Sequence, residues 1–162
     1  MSAWSGRRQL MPPSHLPAPP GFNRWVLGRE GYVLYNANDA YLGQALERYG
    51  EYSEREAQVL RRLCRRGSVA IDVGANLGTH TLVLANAAGP AGFIHAYEPQ
   101  RAVFHALCAT LALNGIVNAR AHRAVVGAAR GWARLPDVDY SRPGNFGAVS
   151  ATVAARGRRS PG

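Results

Sequence analysis

The sequence contains no lysine. All 19 of its strongly basic residues are arginine, set against only 10 acids in 162 residues, for a formal charge of +9. Such a balance suits nucleic acid, an anionic surface or acidic substrates, and is equally produced by a bias in coding composition. Long apolar runs are absent too. No stretch approaches the roughly 18 consecutive apolar residues of a membrane-spanning helix. Arg7 and Arg8 are followed by prolines rather than by the apolar core of a signal peptide. The expectation is a cytoplasmic protein without membrane association. Cysteine is scarce: Cys64 and Cys108 lie far apart in segments that read as helices, which suits reduced thiols and not a disulfide framework. The histidines, His15, His80, His95, His105 and His122, follow no metal-ligand spacing and have no cysteine cluster to join, so no metal is expected.

What is present is enough for one modest core, with 47% hydrophobic and 18% charged residues. Residues 1–21, with Pro12, Pro13, Pro17, Pro19 and Pro20, cannot bury a core and read as a disordered tail, within which Met11 is an alternative start. Ordered sequence begins near Phe22. Trp25-Val26-Leu27 and Tyr32-Val33-Leu34-Tyr35, separated by Gly28-Arg29-Glu30-Gly31, predict a hairpin. Ser53-Glu54-Arg55-Glu56 is a capping-box pattern that predicts a first helix, with Ala57, Leu60 and Leu63 or Cys64 on its apolar face. Its basic run Arg61 to Arg66 reads as a solvated helix end before Gly67. A strand over 68–73, a helix over 79–87, a strand over 93–97, a helix faced by Val103, Leu107 and Leu111, and a strand over 118–126 follow. Alternation with connections too long for hairpins implies parallel strands and crossover helices.

The sharpest feature joins the first of these parallel strands to its helix: Ile71-Asp72-Val73-Gly74-Ala75-Asn76-Leu77-Gly78-Thr79-His80. Glycines there allow a ligand to approach backbone where no Cβ intervenes and allow positive φ, and amides at the helix start face the ligand. A dinucleotide G-x-G-x-x-G anchored at Gly74 would want glycine at Asn76 and Thr79, whereas the D-x-G-x-N-x-G adenosylmethionine loop fits. Glu98, ending the next strand, is placed to accept hydrogen bonds from both ribose hydroxyls. Against this stand a packing-driven turn at Gly74 and Gly78, and a helix-start carboxylate ahead of Pro99. Asp72, if buried, needs partners, which loop amides or the ammonium of a bound amino-acid moiety would supply.

With these motifs in view, the run from Tyr41 to about Ser150 resembles the FkbM family of S-adenosylmethionine-dependent methyltransferases. The resemblance is carried by Tyr49-Gly50-Glu51-Tyr52-Ser53-Glu54, the loop from Asp72 to Thr81, Tyr97-Glu98-Pro99-Gln100, Leu113-Asn114-Gly115 and Asn145-Phe146-Gly147. It implies an α/β, Rossmann-like class I methyltransferase fold that moves a methyl group to a hydroxyl on a sugar or natural product. The cofactor would be S-adenosyl-L-methionine, held by Asp72, Gly74, Ala75, Asn76, Gly78, Thr79 and Glu98. The partner implied is a small-molecule or glycan hydroxyl acceptor, not nucleic acid.

The family continues with further strands and an acidic motif that this chain lacks, and 151–162 resembles nothing in it. The expected domain is therefore an incomplete one: a cofactor-binding portion over 22–150, first strands and crossover helices only, followed by a disordered tail that reads as out of frame. Over that portion 14 arginines face all 10 acids, so much of the basic excess lies in the tails. No catalytic base is assigned; His80 reads either as facing the acceptor or as a helix-start hydrogen-bonding group. The alternatives are an inactive fragment or pseudoenzyme that at most binds the cofactor, an NAD-binding half-domain, and a nucleic-acid module suggested by charge alone.

Overall fold

A computed structural model describes residues 21–154. The tail read over 1–21 therefore lies, Gly21 aside, outside the described residues. β1 (Asn23–Leu27) and β2 (Tyr32–Asn36) pair antiparallel, Trp25 opposite Leu34, as the alternating apolar pattern and glycine turn predict. Next comes α1 (Leu42–Tyr49), a helix the sequence reading missed. Its start is capped from outside the usual position: Asp39 Oδ1 accepts from the amides of Tyr41 and Leu42, 2.9 Å each, while Leu42 and Leu46 on one face are buried.

Helix α2 (Glu54–Leu63) forms where expected, but the capping box does not. Ser53 sits in the left-handed region at φ 62° and makes no side-chain cap bond, since an N-cap hydroxyl reaches its amide only from extended backbone. Glu56 points instead toward His80, 3.4 Å away. On the buried face, the choice between Leu63 and Cys64 falls to Cys64, with Leu63 74% exposed. The basic run is solvated at Arg62, Arg65 and Arg66, whereas Arg61 turns inward to bond Glu30 and Glu54.

The central unit is β3 (Val69–Val73), α3 (Thr79–Ala88), β4 (Phe93–Tyr97), α4 (Arg101–Leu113) and β5 (Ala119–His122), with the strands parallel in the order β3-β4-β5. The last strand is shorter than the predicted 118–126. Period-two alternation sorts the sheet into two faces. Ala70, Ile94, Ala96, Ala119 and Ala121 meet the helices and hairpin in the core, where Leu82 and Leu107 are wholly buried. The opposite face carries Val69, Ile71 and Val73, 70%, 63% and 59% exposed, and a ring stack in which His122 lies against both His95 and Tyr97. β3 is an edge strand.

The hairpin is fastened to α4 by Asn114, which accepts from the Tyr32 amide at 2.8 Å and donates to the Tyr32 and Thr110 carbonyls at 2.7 Å each. β6 (Trp132–Arg134) and β7 (Thr152–Ala154) form a separate antiparallel pair. The disordered tail expected from 151 thus contains a strand, because backbone pairing with β6 satisfies polar groups that composition alone leaves unassigned. The rest of that tail, from 155, lies outside the described residues. Among the described residues no helix is long and apolar enough to cross a membrane.

Leu107 contacts the core from α4 with no exposed surface. Leu107→Ala is expected to cost about 2–5 kcal/mol, measured by urea denaturation, whereas Leu63→Ala at its exposed position changes stability by less than about 0.5 kcal/mol.

Candidate functional site

The loop between β3 and α3 turns on three left-handed residues, Gly74 (φ 79°), Asn76 (φ 51°) and Gly78 (φ 90°). Asparagine at the middle position departs from the dinucleotide pattern yet keeps its backbone geometry, because Asn tolerates that region better than other side-chain-bearing residues. The two glycines serve different ends. A Cβ on Gly78 would lie 2.8 Å from Leu107 Cδ1, so Gly78 lets α3 settle against α4. A Cβ on Gly74 would meet nothing within 4 Å, leaving that backbone open on the site side.

Below the loop, the Gly74 and Ala75 amides both donate to the Tyr97 carbonyl at 2.9 Å, and the Asn76 amide donates to Glu98 Oε2 at 3.1 Å. These amides hold the loop to the end of β4; they are not the helix-start amides, at Thr79 and beyond, that the sequence places toward a ligand. Asp72 likewise takes its partner elsewhere, accepting the Thr81 hydroxyl at 2.6 Å, since the nearby loop amides are committed to β4. Glu98 is 4% exposed; its other oxygen accepts the Gln100 amide at 2.8 Å. Burial lifts its pKa above the ordinary 4.5, opposed by the two amide bonds and reinforced by the charge of Asp72.

Gln100 extends this arrangement to residues distant in sequence. Its Nε2 donates to the Phe146 carbonyl at 2.7 Å and its Oε1 accepts the Tyr140 hydroxyl at 3.0 Å. Asn36 and Asn38 donate to the Tyr140 carbonyl, the Gly144 amide donates to the Asn38 carbonyl, and the Phe146 ring is buried against Tyr140. The strap from Tyr140 to Ala148 is thereby laid over the loop. A Cβ on Gly147 would fall 2.8 Å from Asn76 Nδ2, so only glycine there leaves the Asn76 side chain its place.

Loop and strap enclose a cavity of about 330 Å³ lined by Gly74, Ala75, Asn76, Thr79, His80, Tyr41, Leu42, Tyr52, Asn145, Gly147 and Ala148. Four predicted site residues, Gly74, Ala75, Asn76 and Thr79, stand on its wall; Asp72, Gly78 and Glu98 do not, and support the wall from beneath. Asn76 Oδ1 is buried without a hydrogen-bond partner among the described residues, as expected of a group awaiting a donor. Sequence reasoning assigned no role to Tyr41, Leu42 or Asn145. The signals were Asp39 ahead of a Leu42/Leu46 spacing, and the Asn145-Phe146-Gly147 motif itself. Among the described residues no group of three or more His, Cys, Asp or Glu gathers as a metal site.

No protein-family model matches the chain, and no curated protein does. Solved structures do. A protein assigned as a transferase from Pyrococcus horikoshii superposes with a TM-score of 0.52 at 13% identity, covering 64% of this chain and 37% of that one. Trm5b from Pyrococcus abyssi gives 0.50 at 14% identity, covering 68% and 30%. TYW2 from M. jannaschii, solved in complex with AdoMet, gives 0.48 at 16% identity, covering 65% and 45%. The chain spans less than half the length of each of these structures. The likeness is one of fold: an α/β unit with a three-stranded parallel sheet, corresponding to part of the class I, S-adenosylmethionine-dependent methyltransferase fold.

Gly78→Ala is expected to destabilise by about 1–3 kcal/mol through positive φ and contact with Leu107, and Gly74→Ala by less because only the backbone term applies; thermal melts separate them. A raised folded-state pKa for Glu98 means its contribution is fullest below the unfolded-chain value and is lost as pH rises through the folded one. The stability of the unmodified chain relative to Glu98→Gln should therefore fall as pH climbs from 4.5, in urea titrations run at a series of pH values.

Proposed function

We propose that the chain binds S-adenosyl-L-methionine and serves methyl transfer to a hydroxyl group on a small molecule or glycan, in the manner the FkbM resemblance implies. The observation that carries this reading is the loop from Gly74 to Gly78, anchored by Glu98 and open at the Gly74 backbone, on the wall of a cavity of about 330 Å³. That volume sits at the lower end of small-molecule sites. The unpartnered Asn76 Oδ1 supports the fit.

In this reading Gly74, Ala75, Asn76 and Thr79 contact the cofactor directly. Glu98 keeps acceptor capacity on both oxygens beyond the single amide each receives, and in this reading offers it to the ribose hydroxyls. When bound, the cofactor supplies an electrophilic methyl on a sulfonium. The residues around it act mainly by orientation, because an in-line displacement gains much of its rate from holding the reacting atoms in line. Tyr41, Tyr52 and Asn145 line the same cavity and are assigned in this reading to the acceptor.

Isothermal calorimetry with S-adenosylhomocysteine is expected to give one-site binding. Gly74→Val, which fills the open backbone approach, and Asn76→Ala should each weaken it by about tenfold or more, about 1.4 kcal/mol. Binding of NAD in place of S-adenosylhomocysteine would overturn the reading in favour of a dinucleotide half-domain.

A further inference from the structure

His80 stands in the first turn of α3, two residues past Gly78, and lines the cavity beside Asn76, Thr79 and Tyr52. Its Nε2 is buried, has no hydrogen bond within the described residues, and lies 3.4 Å from Glu56 Oε2, a carboxylate brought across from α2. The Tyr52 ring lies beside the imidazole, with centroids 6.5 Å apart and planes tilted by 42°. We propose that His80 takes the proton from the acceptor hydroxyl through Nδ1, and that Glu56 is the positioning residue that holds the proton of the neutral ring on Nε2. The assignment rests on the methyltransferase reading above and adds to it the group that reading lacked.

The chemistry follows from the two nitrogens of the ring. In neutral imidazole one nitrogen is a donor and the other an acceptor, and a carboxylate beside Nε2 favours the proton there, leaving the Nδ1 lone pair as the base. As the hydroxyl oxygen bonds to the methyl carbon, the O–H electron pair stays on oxygen and the proton passes to Nδ1. The C–S pair leaves with the thioether, and the imidazolium, facing Glu56, returns its proton to solvent. The other charged groups that line a pocket with His80 are Arg29, Glu30, Glu51, Glu54 and Arg61. In that cluster Arg29 pairs with Glu51, and Arg61 with Glu30 and Glu54, so the carboxylate left to act on His80 is Glu56.

Nitrogen-15 NMR of the full chain, at a pH where the ring is neutral, reads the tautomer of His80. The neutral ring is expected as the Nε2–H tautomer. Glu56→Ala should let the two tautomers even out, whereas Glu56→Gln, whose amide oxygen can still accept from Nε2–H, should keep the Nε2–H form. His80→Gln should leave S-adenosylhomocysteine affinity, by calorimetry, within about twofold, as suits a group on the acceptor side. An Nδ1–H tautomer in the unmodified chain, a tautomer balance unmoved in Glu56→Ala, or loss of S-adenosylhomocysteine binding in His80→Gln would each overturn the role while leaving the methyltransferase reading standing. Failure of the unmodified chain to bind S-adenosylhomocysteine is a separate result, which removes that reading and this role together.

Discussion

The buried carboxylate of Glu98 receives one backbone amide from the β3–α3 loop and one from the segment that opens α4. Burying an ionised group is costly unless its lone pairs are met, and here one amide meets each oxygen and offsets part of that cost. Because the carboxylate is placed by the end of β4, the loop and the start of α4 are referred to the same point in the sheet. Gln100 carries the reference further, to Phe146 and Tyr140, so the strap over the cavity is positioned through the same short chain of bonds.

Around that point the packing is one-sided. Helices, hairpin and strap gather on the face of the sheet lined by Ala70, Ile94 and Ala96, and the small residues on the strands let α3 and α4 approach closely. The other face presents β-branched residues of β3 and a stack of Tyr97, His122 and His95, in which burial and the neighbouring His95 and Arg120 hold the His122 pKa below its usual value. The cavity belongs to the C-terminal ends of the parallel strands, where open α/β sheets place their ligands.

Two residues show how much of the site could be read in one dimension. Gly74 and Gly78 were legible because positive φ near a strand end leaves a spacing signature, yet their difference was not. Only the position of Leu107, 29 residues past Gly78, makes one a packing glycine while the other faces open space. Asn76 was legible as a departure from glycine, but its role as a left-handed residue whose amide holds Glu98 depends on β4 lying beside β3.

Local chemistry in the sequence determined the alternation of strand and helix, the hairpin, the cofactor-type loop and the carboxylate after β4, because each is written within a few residues by periodicity, turn residues and spacing. It did not determine the helix over 42–49, the unused capping box at Ser53, or the inward face of the loop amides. The last two depend on Glu56 and Tyr97 meeting partners that their immediate neighbours do not predict, whereas the helix over 42–49 opens on a local but unusual cap from Asp39. Tertiary structure alone decided that Tyr41, Tyr52, His80 and Asn145 share one cavity. Their separation of more than 100 residues is closed by hydrogen bonds whose partners are chosen by the packing of the strands.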